Sequence, residues 1–169
     1  MIWLLMVFLL VAAISPIMMM RQSPRQRRIS RLRSAALTQG VKVALIARPT
    51  GRGSSTRDEV KDQQFARYWL PLAEPQQSAG AVLHRIDSNG WESAYPGWVW
   101  RDKPHQRAAD PLLTALIATL PPAVLALSWD GGSVGVVWDE SGDVGDVELI
   151  TDRLRQLKVW RERLILAKT

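Results

Sequence analysis

The chain has 169 residues, no cysteine, and 22 Lys and Arg against 16 Asp and Glu, a formal charge of +6. Without cysteine there is no disulfide framework, no thiolate nucleophile and no cysteine-based zinc site. The positive charge is not the footprint of a nucleic-acid binder: residues 1–34 hold six arginines and no acid, and the 16 basic residues after them are matched by 16 acids, so no net field for phosphates remains.

In chain order, Ile2 to Met20 reads IWLLMVFLLVAAISPIMMM, without a charge. At ~1.5 Å rise per residue such a helix reaches roughly 28 Å, close to the ~30 Å hydrocarbon thickness of a bilayer. Basic residues follow the run instead of preceding it, and Pro16 directly follows the small residues of Ala13-Ile14-Ser15. The segment therefore reads as an uncleaved transmembrane anchor over residues 1–20 and not as a signal peptide. Arg21, Arg25, Arg27, Arg28, Arg31 and Arg33 come next. By the positive-inside rule they predict a single-pass protein of a bacterial inner membrane, with its N-terminus outside and its C-terminal domain in the cytoplasm. The same arginines are the candidate contacts to anionic lipid headgroups.

Ser23-Pro24 is a helix start, with a hydroxyl at the cap and proline in the first turn. Ile29, Leu32, Ala36 and Leu37 recur at helical spacing, and Gly40 ends the run. Residues 21–40 are thus predicted to hold a basic juxtamembrane amphipathic helix, and residues 41–169 a cytoplasmic α+β domain. Val41–Ala47 is β-branched and apolar and predicts a buried strand. Arg48–Lys61, with Pro49, Gly51 and Gly53, predicts a loop. Gln64–Ala73 and Ala79–Asp87 predict strands, the second closed by a Ser88-Asn89-Gly90 turn. Trp91–Arg101, broken by Pro96-Gly97, is its expected hairpin partner. Asp110-Pro111 opens a helix whose core face should comprise Leu112, Leu113, Leu116, Ile117 and Leu120, ended by Pro121-Pro122. Ala123–Trp129 and Ser133–Trp138 flank Asp130-Gly131-Gly132 as a hairpin. Val147, Ile150, Leu154, Leu157 and Leu164 mark a long final helix, with acids of the preceding loop at its N-terminus. Hairpins outnumber crossovers, so the fold class is α+β: an N-terminal transmembrane helix, a juxtamembrane helix, a mainly antiparallel sheet and two further helices.

The chemistry-bearing patterns are few. Gly131-Gly132-Ser133-Val134-Gly135 matches the G-x-S-x-G of a nucleophile elbow. That elbow needs a helix after the serine and a histidine later in the chain. Here a strand follows and both histidines, His84 and His105, come first, so a hairpin turn is the better account, with Gly132 supplying positive φ. Gly51-Arg52-Gly53 lacks the Gly-Lys-Ser/Thr of a phosphate loop. The two histidines do not fall at metal-ligand spacing, and the acids from Asp139 to Glu148 do not match a calcium loop. No cofactor or metal is expected. Tryptophan is abundant, eight residues against two Phe and two Tyr. Core packing explains most of them, but Trp98 and Trp100, two apart on one predicted strand, are a candidate partner surface.

The N-terminal layout is an apolar span, then Arg21-Gln22-Ser23-Pro24-Arg25-Gln26-Arg27-Arg28, then a helix running into Gly40-Val41-Lys42-Val43. It resembles small single-span bacterial inner-membrane proteins and is similar to the YajC-like translocase-accessory family. The resemblance implies an accessory role beside a membrane complex. Together these readings predict a membrane-tethered, non-enzymatic interaction module, with the bilayer and a membrane protein as partners; a nucleic-acid partner, not expected, would require Arg52, Arg57, Arg67, Arg101 and Arg107 to gather on one face beside exposed Trp. The alternative is an anchored enzyme or small-ligand-binding domain, which would require His84, Asp87, His105 and Asp110 to converge in one pocket.

Overall fold

The computed structural model describes residues 3, 6, 23–47, 64–75, 80–85, 90–103 and 108–167. The chain divides into two compact units, Met1–Arg31 and Leu32–Thr169. Three helices are described, α1 (Pro24–Thr38), α2 (Pro111–Ala118) and α3 (Val144–Leu166). The seven strands are β1 (Lys42–Ala47), β2 (Gln64–Pro71), β3 (Ala81–His84), β4 (Trp91–Glu92), β5 (Val99–Trp100), β6 (Val124–Trp129) and β7 (Ser133–Trp138).

The strands form one sheet in the order β1-β2-β7-β6-β3-β5-β4, antiparallel throughout. The β6-β7 hairpin sits between β2 and β3, so β7 is an interior strand and all six of its residues are buried. Register sorts the side chains by period 2. Tyr68 faces Val136, Leu83 faces Leu127, and Trp129 faces Val134. These join Val124, Trp100 and Trp138 in the main core, with Val147, Ile150, Leu154 and Leu157 of α3. α3 packs on β7 and β2, and α2 packs on α3. On the opposite face Phe65, Ala126 and Val137 make a smaller apolar cluster. A register shift between Val124 and Ala126 marks a bulge in β6.

Local chemistry explains the element ends. The Asp110 side chain accepts the Leu112 and Leu113 amides, with Pro111 in the first turn of α2. Asp143 and Asp146 form a reciprocal capping box that starts α3, placing acids at the positive end of its dipole. Gly40 ends α1 at φ 81°, a conformation open to glycine at little cost. In the second unit, Leu32 and Ala36 of α1 enter the main core. Arg33 makes a bidentate pair with the buried Glu140, Nε to Oε1 at 2.8 Å and Nη2 to Oε2 at 2.6 Å. Glu140 also accepts the Tyr68 hydroxyl at 3.2 Å and holds a positive φ of 56°. A non-glycine residue keeps that backbone only where its surroundings over-determine it, and here the side chain is locked from two sides.

Several expectations change. The α+β class with an antiparallel sheet stands, but the transmembrane helix is corrected: among the described residues no helix is long and apolar enough to cross a membrane. The longest, α3, alternates its buried stripe with Asp152, Arg153, Arg155 and Lys158. Apart from Trp3 and Met6, the expected span at residues 2–20 lies outside the described residues, as does the 48–61 loop. The single-pass inner-membrane placement and its orientation therefore have no support here. Arg33, one of the candidate headgroup contacts, is paired with Glu140. Hairpin pairing is also rearranged. β3 pairs with β5 and not with β4, which lies beyond β5 at the sheet edge. On α2, Leu113, Leu116 and Ile117 are buried as expected, but Leu112 is 58% exposed.

Leu116→Ala should therefore cost ~2–5 kcal/mol, as removal of a packed leucine does. Leu112→Ala should change stability by less than about 0.5 kcal/mol. Urea unfolding of both variants checks the contrast, and equal losses would place Leu112 in the core.

Candidate functional site

Two features stand out, a groove between α2 and α3 and a polar network on the far face of the sheet. The groove has a volume of about 530 Å³, within the ~300–1,000 Å³ typical of binding clefts. Leu112 and Leu116 form one wall, Val159 and Trp160 the other, and Arg153, Arg155 and Arg163 stand around them. Leu112 is 58% and Val159 47% exposed, so both present apolar surface to whatever enters. The lining contains three arginines and no carboxylate. Arg153 Nη1 lies 3.1 Å from Asp152 Oδ2, and Arg155 Nη2 donates to the Gln39 carbonyl at 3.2 Å.

The helix pair is held by a carboxylate and an aromatic ladder. Trp160 Nε1 donates to Asp110 Oδ2 at 2.9 Å, and the Asp110 amide donates to the Tyr95 hydroxyl at 3.1 Å. Burial raises the Tyr95 pKa, so the phenol stays protonated. Edge-to-face contacts run Tyr95–Trp100, Trp100–Trp129 and Trp129–Trp160, with centroids 6.2, 5.6 and 5.2 Å apart. Trp98 and Trp100, the candidate partner surface, are only 4% and 7% exposed. Both serve packing, Trp100 in this ladder and Trp98 under the Arg85 guanidinium at 4.8 Å.

On the other sheet face, Arg67 of β2 crosses β7. Its Nε donates to Ser128 Oγ at 3.1 Å and its Nη2 to Ser133 Oγ at 2.9 Å. Ser133 in turn donates to Asp130 Oδ2 at 3.0 Å, and Asp130 Oδ1 accepts the amides of Gly132 and Ser133 at 2.7 and 2.6 Å. Gly135 makes the crossing possible, since a Cβ there would lie 2.6 Å from Arg67 Nε. The hairpin reading of G-x-S-x-G is thus met in geometry, with a correction at Gly132. Among the described glycines only Gly40 and Gly97 have positive φ; Gly132 does not, and the glycine that matters is Gly135. Burial alone would raise the Asp130 pKa, but its hydrogen bonds and the Arg67 charge outweigh that and hold it below the ordinary carboxylate value. A carboxylate so stabilised is a poor base, and Ser133 has no activated proton acceptor. Burial lowers the Arg67 pKa. Lys42 and Arg67 both approach the Trp69 ring, at 4.9 and 5.9 Å.

The alternative catalytic set does not assemble from what is described. His84 is buried in β3 opposite Ala126. Asp110 is occupied as the α2 cap and the Trp160 partner. Asp87 and His105 lie outside the described residues, as does Arg21 of the basic cluster. Arg25, Arg27, Arg28 and Arg31 are exposed on α1. Among the described residues no group of three His, Cys, Asp or Glu is placed to hold a metal.

No protein-family model matches the chain, and no curated protein matches it. Among solved structures, the crystal structure of the mycobacterial trehalose monomycolate transport factor A aligns with a TM-score of 0.45 and 12% identity, covering 76% of this chain and 91% of that one. A likeness at that level assigns neither a family nor a function. The sequence reading missed the groove because Leu112 was assigned to the core. The legible clue was Val159, an apolar residue off the buried stripe of α3 with an arginine four residues to either side.

Gly135→Ala should displace Arg67 and cost ~1–3 kcal/mol, because the serine bonds are lost with it. Gly132→Ala, whose Cβ would meet nothing closer than 3.8 Å, should stay within about 0.5 kcal/mol. Denaturant midpoints distinguish the two. The pH dependence follows from Asp130. Its folded pKa is lowered, so its contribution is complete above the ordinary carboxylate value and is lost as pH falls below about 4. Asp130→Asn should lower the urea midpoint at neutral pH, and the gap from the parent chain should close in acid.

Proposed function

We propose that this protein is a non-enzymatic interaction module that takes an apolar segment of a partner protein into the groove between α2 and α3. The supporting observation is the pairing of exposed Leu112 with exposed Val159 across a cleft whose wall includes Trp160. A tryptophan in a cleft lined by arginines has the residue types that dominate interaction hot spots, and the exposed leucine and valine add apolar contact area. The fold holds both helices from the inside, so these two side chains contribute little to stability and remain available to a partner. Ser133, the residue with a catalytic-looking setting, is engaged by Asp130 and Arg67, which favours a binding role over acyl transfer.

The test is site-specific photo-crosslinking in the expressing cell, with the full chain carrying benzoylphenylalanine at Leu112, Val159 or Lys103. One discrete protein adduct, shared by the first two positions and missing from the third, is expected. Val159→Asp should abolish the adduct formed from position 112, with the fold verified by circular dichroism. Equal adducts at all three positions would refute the groove as the site.

A further inference from the structure

We infer that the segment occupying the α2/α3 groove is an acidic amphipathic helix; this rests on the groove being the binding site and goes on to name the chemistry of its occupant. Three observations lead there.

The first is charge. The lining carries Arg153, Arg155 and Arg163 and no carboxylate. All three belong to α3, whereas α2 lines the groove with Leu112, Leu113, Ala115, Leu116 and Thr119. One wall is cationic and the other uncharged. Arg155, Val159 and Arg163 are spaced four apart and so run along one line of the helix. An occupant must place carboxylates along that line and apolar residues towards Leu112 and Trp160. Arg153 is paired with Asp152 at 3.1 Å, so a basic segment would meet the like charges of Arg155 and Arg163 in a partly desolvated cleft.

The second is backbone chemistry. Both walls are helices, whose amides and carbonyls are bonded internally. An extended segment would find no sheet edge there to pair with. A helix satisfies its own hydrogen bonds and needs only side-chain contact, as in other helix-in-groove recognition.

The third is length. α2 has eight residues, which at ~1.5 Å each gives a wall of roughly 12 Å. That matches about two turns, so the contacts come from positions i, i+3, i+4 and i+7 of the occupant.

The experiment titrates the full chain with fluorescein-labelled peptides of about 16 residues, long enough to populate helix. One has leucines at i, i+3, i+4 and i+7 flanked by glutamates. A second replaces each glutamate by lysine. Decanoate, a single-chain anion, is the third probe. The acidic peptide should bind about tenfold more tightly than the lysine peptide. Raising salt from about 50 mM to about 500 mM should weaken it several-fold through screening. Arg155→Glu combined with Arg163→Glu should reverse the preference between the peptides, with circular dichroism confirming the fold. Equal, salt-insensitive binding of both peptides would overturn the charge inference and leave the groove reading intact. Saturable binding of decanoate with neither peptide bound would replace the helix by an acyl ligand and overturn both. Binding of none of the three would also overturn the inference, while the crosslinking result judges the groove itself.

Discussion

Asp110 is the residue through which the helical layer is assembled. One oxygen accepts the Leu112 and Leu113 amides and so starts α2; the other accepts the Trp160 indole N–H and so fixes α2 against α3. Its own amide closes on the Tyr95 hydroxyl. A buried indole N–H must find an acceptor or carry a desolvation penalty. Placing that acceptor at a helix cap couples two elements 50 residues apart in sequence. The ladder from Tyr95 through Trp100 and Trp129 to Trp160 carries this arrangement down to the sheet. The groove is its geometric consequence. Trp160 is drawn inward to Asp110, and Val159, the residue just before it on the helix, is left facing outward.

Two arginines show how environment separates like residues. Arg33 has its pKa raised, chiefly by its hydrogen bonds to Glu140 and only partly offset by burial. That pair, with Tyr68, closes the second-unit part of α1 onto the loop between β7 and α3. Burial pushes the Tyr68 hydroxyl well above the usual phenol range, with Glu140 adding to the effect, so it remains a donor to Glu140. Arg67 has its pKa lowered by burial. Its partners are two hydroxyls and, at 3.8 Å, the half-exposed Asp130. The first network fixes elements to one another, and the second threads one strand's side chain over its neighbours through the gap left at Gly135. Neither leaves a nucleophile activated, and the groove lies outside both.

The local elements were legible because their causes are local. Asp110-Pro111 marks a cap and a first turn, and α2 begins there. The alternation in β6 and β7 and the turn between them depend on residues 123–138 alone. Val147, Ile150, Leu154 and Leu157 repeat at helical spacing, and all four are buried. What was misjudged depended on partners far away in sequence. Leu112 belongs to the apolar pattern of α2, and only the position of α3 leaves it at the mouth of a groove. Trp98 and Trp100 look like a pair on one face, but Trp98 precedes β5, so the two are not placed by one strand's alternation.

By itself, then, the sequence determined the helix and strand segments, the caps, the α+β class and the neutral charge of residues 35–169, because short-range periodicity, turn chemistry and charge counting suffice for these. Only the tertiary structure decided that β3 pairs with β5, that Arg33 serves Glu140, that Arg67 crosses the sheet over Gly135, and that Leu112 and Val159 face a common cleft. Each of these joins residues from distant parts of the chain, and their meeting is set by packing three-dimensional surfaces, which a one-dimensional pattern does not encode.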